Sequence, residues 1–189
     1  MIFVVHGSAT FEGRAVGEGE AWHGEGELMI EPGPAGVTWW RFELVPGDAS
    51  EWLLGGAATR KKLSAALATL PKGELLLRGD SVAFPPGGVA YLHRHQGPGI
   101  RCVLEGELRV DTNGHSHSHK TGRAWFEAGP DPVFAQAGDQ PTRFVRVMIL
   151  PRSLIGKSSI QYVNEDDKTK PKAQQYRVFV DTPLNLTGA

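Results

Sequence analysis

GGVAYLHRHQGPGIRCVLEG, residues 87–106, is the stretch that decides the fold. Two apolar-rich runs, 89–95 and 100–104, flank the bend Gly97-Pro98-Gly99 and read as two strands joined by a turn. His93 and His95 stand two residues apart on the first strand. Strand side chains alternate between faces, so both imidazoles point to one side, near enough for one metal ion or one anion. The same parity places Tyr91 beside them and, if the bend preserves it, Arg101 as well. An inward arginine needs an anion: either Glu107 or Glu127 of the chain itself, or a substrate carboxylate gripped in bidentate fashion. Cys102 has the opposite parity and no assigned histidine partner, so it is not read as a nucleophile.

Outward from this stretch, strand signals are dense between residues 74 and 150, punctuated by Pro85-Pro-Gly-Gly88 and by Asp111-Thr-Asn-Gly114. Residues 1–34 read as two or three short strands closed by the breaker run Glu31-Pro-Gly-Pro34. Residues 37–45 form another strand, ending at a Pro46-Gly47 turn. Residues 59–70, TRKKLSAALATL, carry the only helical signal, with Leu63, Ala66, Leu67 and Leu70 as an apolar stripe, Thr59 as cap and Pro71 as stop. Residues 164–172 are a charged loop, and 175–180 return as a strand. The expected organisation is an N-terminal β-rich extension with a short helix over 1–71, a barrel over 72–150, and a C-terminal loop and strand over 151–189.

The whole chain has 189 residues with 24 Gly and 13 Pro, which suits one turn-rich all-β domain. Twenty basic and 21 acidic residues give a net charge of -1, arguing against a nucleic-acid partner or a polybasic membrane anchor. The balance is uneven, since residues 1–59 hold nine acids against Arg14 and Arg41. Cys102 is the single cysteine, so no intrachain disulfide forms. The opening MIFVVHGSATFEG lacks the marks of a signal peptide, and no apolar run spans a bilayer, so a cytoplasmic protein is expected.

The spacing Gly87, five residues, His93-Arg94-His95, three residues, Gly99, six residues, Gly106 resembles the first motif of the cupin superfamily. Residues 122–134, GRAWFEAGPDPVF, resemble the second. The resemblance implies an all-β cupin barrel, the double-stranded β-helix or jelly roll, carrying N- and C-terminal strand extensions and the short helix. It also implies one divalent metal ion, Mn, Fe, Ni or Zn, on His93 and His95. The family would add a glutamate near Gly99 and a third histidine near Phe134, and this chain has neither.

Two readings therefore stand. One is a metal-dependent enzyme acting on a small organic, carboxylate-bearing substrate, with Tyr91, Gln96, Arg101, Trp125 and Phe134 around the metal pair His93 and His95. The other is a non-catalytic small-molecule-binding or structural homodimer with a vestigial metal site. His115, His117 and His119 alternate with serines, so on a strand all three face one way; they read as a solvated hairpin tip or a peripheral metal site. No phosphate-binding glycine loop and no serine nucleophile elbow occurs.

Overall fold

The computed structural model describes residues 1–45 and 56–186, so the expected turn at Pro46-Gly47 lies outside the described residues. Four strands come first: β1 (Ile2–Phe11), β2 (Arg14–Gly17), β3 (Ala21–Trp22) and β4 (Ile30–Arg41). β1 is central and pairs antiparallel with the other three. The Pro-Gly-Pro run does not end β4; Pro32 pairs with Ala9, and the register against β1 slips between Gly7 and Ala9, where Pro34 is absorbed. Proline is tolerated because the strand's other side has no ladder to feed. Trp39 and Trp40, being adjacent, project to opposite faces: Trp39 packs with Phe11 and Val16, Trp40 with Phe3.

The following strands are β5 (Leu75–Phe84), β6 (Val89–His95), β7 (Gly99–Glu105), β8 (Glu107–Thr112) and β9 (His115–Lys120). Then come β10 (Ala124–Glu127), β11 (Val133–Ala137), β12 (Thr142–Pro151), β13 (Ile160–Tyr162) and β14 (Gln175–Leu184). They form two antiparallel five-stranded sheets, ordered β10-β7-β12-β5-β14 and β13-β6-β11-β8-β9. Each edge strand, β10, β14, β13 and β9, pairs on one side only, so the expected closed barrel is corrected to two facing sheets. The reason lies in the connections. β6 passes to β7 through Gln96-Gly97-Pro98, and β7 to β8 through Gly106, switching sheets each time, so the ladders stay within sheets.

Val82, Phe84, Val103, Leu108, Trp125 and Phe144 fill the space between the sheets. Val145 and Ile149, on the opposite face of β12, join Leu75 and Leu77 in a second core that also takes in Phe3 and Ala21 of the N-terminal sheet. β5 and β12 are thus buried on both faces, which is why they read as nearly continuous apolar runs.

The expected helix over 59–70 does not form; among the described residues there is no α-helix, only short 3-10 turns at Arg152–Leu154 and Glu165–Lys168. Residues 57–70 are a non-helical strap in which Leu63, Ala65 and Leu67 are half-buried and the residues between them exposed. Leu67 and Leu70 rest on the second core, and Lys62 Nζ donates to the Gly122 carbonyl at 2.8 Å. Burial against an existing core outweighs a modest intrinsic helix preference. No helix of the described residues is long and apolar enough to cross a membrane.

Candidate functional site

One cross-strand row places most of the polar groups. Trp125 on β10 lies opposite Arg101 on β7, Arg101 opposite Arg146 on β12, and Arg146 opposite Asp80 on β5. Residues directly opposite in antiparallel strands share a face. All four side chains line the inter-sheet pocket or pair within it, and Glu127 joins them from two residues beyond Trp125. His93 and His95 enter from the other sheet.

A register slip sets the direction of β6. Between the pairs Ala135–Ala90 and Val133–His93, β11 advances two residues and β6 three, so β6 holds a bulge at Tyr91-Leu92. Ala90 and His93 both point inward as a result, and Tyr91 is not among the pocket residues; its ring lies 5.0 Å from Lys170 Nζ instead.

Inside, the His93 and His95 Nε2 atoms are 3.2 Å apart. His93 Nδ1 lies 2.7 Å from the Tyr91 carbonyl and donates its proton there. That tautomer leaves His93 Nε2 as an acceptor, which the Nε2–H of His95 fills. His95 Nδ1 then carries a lone pair, buried and without a protein partner. Arg101 donates through Nη1 to the Gly99 carbonyl at 2.6 Å. Its Nη2 is 2.7 Å from Glu127 Oε2, an ion pair not aligned as a hydrogen bond, so both atoms retain hydrogen-bonding capacity. Glu127 Oε1 accepts from Trp125 Nε1 at 2.8 Å. Arg146 is held by Asp80 through two bonds of 2.6 and 3.0 Å.

Burial, followed by the charges of Arg101 and Arg146, holds His95 well below the ordinary imidazole range. Burial also lowers His93, although the Tyr91 carbonyl and Glu127 pull the other way. Both rings are therefore neutral at pH 7. Burial brings Arg101 down to about 10, still cationic at neutral pH. For Arg146, burial works downward, yet Asp80 prevails and raises it. The charged residues pair off one to one, and three atoms are left with unfilled hydrogen-bonding positions: an acceptor at His95 Nδ1, a donor at Arg101 Nη2 and an acceptor at Glu127 Oε2. They face a cavity of about 20 Å³, room for one or two waters before any side chain moves. A roomier depression of about 320 Å³ opens elsewhere, beside Glu107, Lys120 and Asp139, but contains none of these buried unpaired atoms.

The residues do not fit a resident divalent metal. Two imidazoles converge, but Glu127 is engaged by Arg101, and two guanidiniums bring positive charge to where a cation would sit. A Cβ at Gly99 would lie 2.5 Å from the Val147 carbonyl oxygen, 2.7 Å from Met148 Cγ and 3.1 Å from Arg101 Nη1, so β12 together with Arg101 leaves no space for a glutamate there. Phe134 is not in the pocket; it lies under Arg109 at 5.9 Å, while its neighbours Val133 and Ala135 point inward. Among the described residues no group of three or more His, Cys, Asp or Glu side chains is arranged to hold a metal.

Of the residues singled out from sequence, the structure brings His93, His95, Arg101 and Trp125 together and leaves Tyr91, Gln96 and Phe134 outside the lining. Three pocket neighbours were missed as site residues: Asp80, Arg146 and Tyr176. A charge within an otherwise apolar run, as in FVRVMIL (144–150) and LLLRGDSVAF (75–84), is the signal that points to the first two.

Fold and site together define an all-β protein of two facing antiparallel sheets with a small polar pocket between them. No family model and no curated protein matches the chain. It is similar to the solved structure of the DMSP lyase DddQ from Ruegeria pomeroyi, with 23% identity over 38% of this chain and 37% of that one, at a TM-score of 0.36. An RmlC-like cupin from Shewanella frigidimarina is 21% identical over 40% of this chain and 68% of that one, at 0.37. A predicted oxalate decarboxylase from Thermotoga maritima is 27% identical over 38% and 64%, at 0.35. The chain thus spans little more than a third of the length of the DMSP lyase.

Proposed function

We propose that this chain binds a small polar molecule between its sheets without turning it over. The observation that carries the reading is His95 Nδ1, a buried acceptor without a protein partner, facing the same cavity as the Arg101–Glu127 ion pair. An unmatched buried polar atom costs about 1–3 kcal/mol, so a ligand that donates to His95 Nδ1 gains that energy on binding. The complementary ligand presents one acceptor to Arg101 and two donors, to His95 and Glu127; a small hydroxy acid bound with its carboxyl protonated offers both donors, whereas a plain carboxylic acid offers one. The cavity as it stands holds one or two heavy atoms, so an acid of the size of glycolate enters only as the lining side chains move aside. Binding rather than metal-assisted turnover is favoured because the positions where the resemblance calls for further ligands are Gly99 and the outward Phe134.

The Trp125 indole N–H, bonded to Glu127, reports on the pocket. Titrating formate, acetate, glycolate and lactate while following the Trp125 indole resonance by NMR is expected to give a saturable shift, strongest with the hydroxy acid. The combined Arg101→Met and Glu127→Met variant, which removes both members of the ion pair and so leaves no lone buried charge, is expected to abolish it. An indole resonance unmoved by all four acids overturns the proposal.

A further inference from the structure

We propose that β9 carries a second, independent site: a divalent transition-metal ion of borderline softness, held by His117 together with His115 or His119. β9 is the outermost strand of its sheet, and its pairs with β8 are Thr112–His115, Val110–His117 and Leu108–His119. Paired residues share a face, so the three imidazoles stand in a row on the side of the inward-pointing Val110 and Leu108, at the sheet's open margin. Successive ring centres are 6.3 and 6.5 Å apart with tilts of 32° and 41°. The intervening serines take the other face, where Ser116 Oγ donates to Asp111 Oδ1 at 2.6 Å.

The two ends of the row differ. His119 is half-buried and stacks on Trp125, with ring centres 4.5 Å apart and planes 15° from parallel, so one end is anchored. His115 and His117 are exposed and free to change rotamer. This chain itself shows what such spacing can reach: His93 and His95, also two residues apart on a strand, bring their Nε2 atoms to 3.2 Å with ring centres 4.8 Å apart. Two imidazole nitrogens at about 2.0–2.1 Å from one ion are separated by about 3 Å, so a similar rotation of the exposed pair creates a two-nitrogen bite. Imidazole donors without carboxylates favour Ni, Cu or Zn over Mg or Ca, and water completes the shell.

The test is calorimetric titration of tag-free protein with nickel chloride, and with magnesium chloride as control. Saturable binding of about one Ni²⁺ per chain and no heat with Mg²⁺ is expected from the two-imidazole bite. His117→Ala, which removes the ligand common to both pairs, is expected to weaken binding at least about tenfold. His115→Ala and His119→Ala each leave one pair and weaken it less, whereas His93→Ala leaves it unchanged. Absence of Ni²⁺ binding, binding undiminished in His117→Ala, or binding lost in His93→Ala overturns the proposal. Circular dichroism of each variant confirms that the fold persists, as expected for side chains on an exposed edge strand.

Discussion

Arg146 and Asp80 face each other across β12 and β5 with both side chains at most 4% exposed. A buried pair of this kind contributes little net stability over apolar replacements, but removing one partner strands the other's charge. Asp80→Asn is therefore expected to lower the unfolding free energy by about 3–5 kcal/mol, read from urea denaturation. Adding Arg146→Met to Asp80→Leu is expected to recover most of that loss. The histidines set a pH dependence. Their folded-state pKa values lie below the ordinary value of about 6.5, so under mild acid the unfolded chain takes up protons that the folded chain refuses. Stability is complete above about pH 6.5 and is lost as pH falls below it; the urea midpoint should drop between about pH 7.5 and about pH 5.5, and His95→Gln should flatten the drop.

At the scale of elements, Gly99 and the β6 bulge explain why the pocket differs from what the motif implies. A side chain at Gly99 meets the Val147 carbonyl and the Arg101 guanidinium, so Gly99→Glu, which restores the motif, should overpack the pocket and cost about 1–3 kcal/mol. Its metal content by elemental analysis should remain at the wild-type level. The bulge separates what parity could and could not tell. Period-two alternation correctly sets His93 and His95 on one face, but the extra residue at Tyr91-Leu92 turns Tyr91 away, and a slip in pairing leaves no mark in composition. The strap over 57–70 makes the same point. Its leucines satisfy a helical stripe, yet Leu63 and Leu67 with Ala65 fit a period of two as well, and the core beneath Leu67 and Leu70 decides between them.

At the scale of the whole molecule, the N-terminal sheet and the first of the facing sheets share one core. Phe3, 1% exposed, has its ring 5.6 Å from that of Phe179 and 6.1 Å from that of Trp40. Phe3→Ala is expected to cost about 3–5 kcal/mol. Because the core is shared, tryptophan fluorescence, dominated by the first third of the chain, and far-UV circular dichroism should report one coincident urea transition, in the variant as in the wild type. Separate transitions would show that the N-terminal sheet unfolds on its own.

The sequence by itself determined the all-β character, the hairpin at Asn113-Gly114 and the shared face of His93 and His95, and it left Arg101 between Glu107, Glu127 and a substrate carboxylate. These follow from short-range rules: turn chemistry, alternation, and the need of a buried charge for its opposite. Only the tertiary structure decided that the sheets stay unclosed, that residues 57–70 lie as a strap, that Arg146 and Asp80 meet across the sheet, that Arg101 pairs with Glu127, and that β12 crowds Gly99. Each of these depends on which strands become neighbours and in what register. That is a competition among contacts far apart in the chain, and local pattern does not encode its outcome.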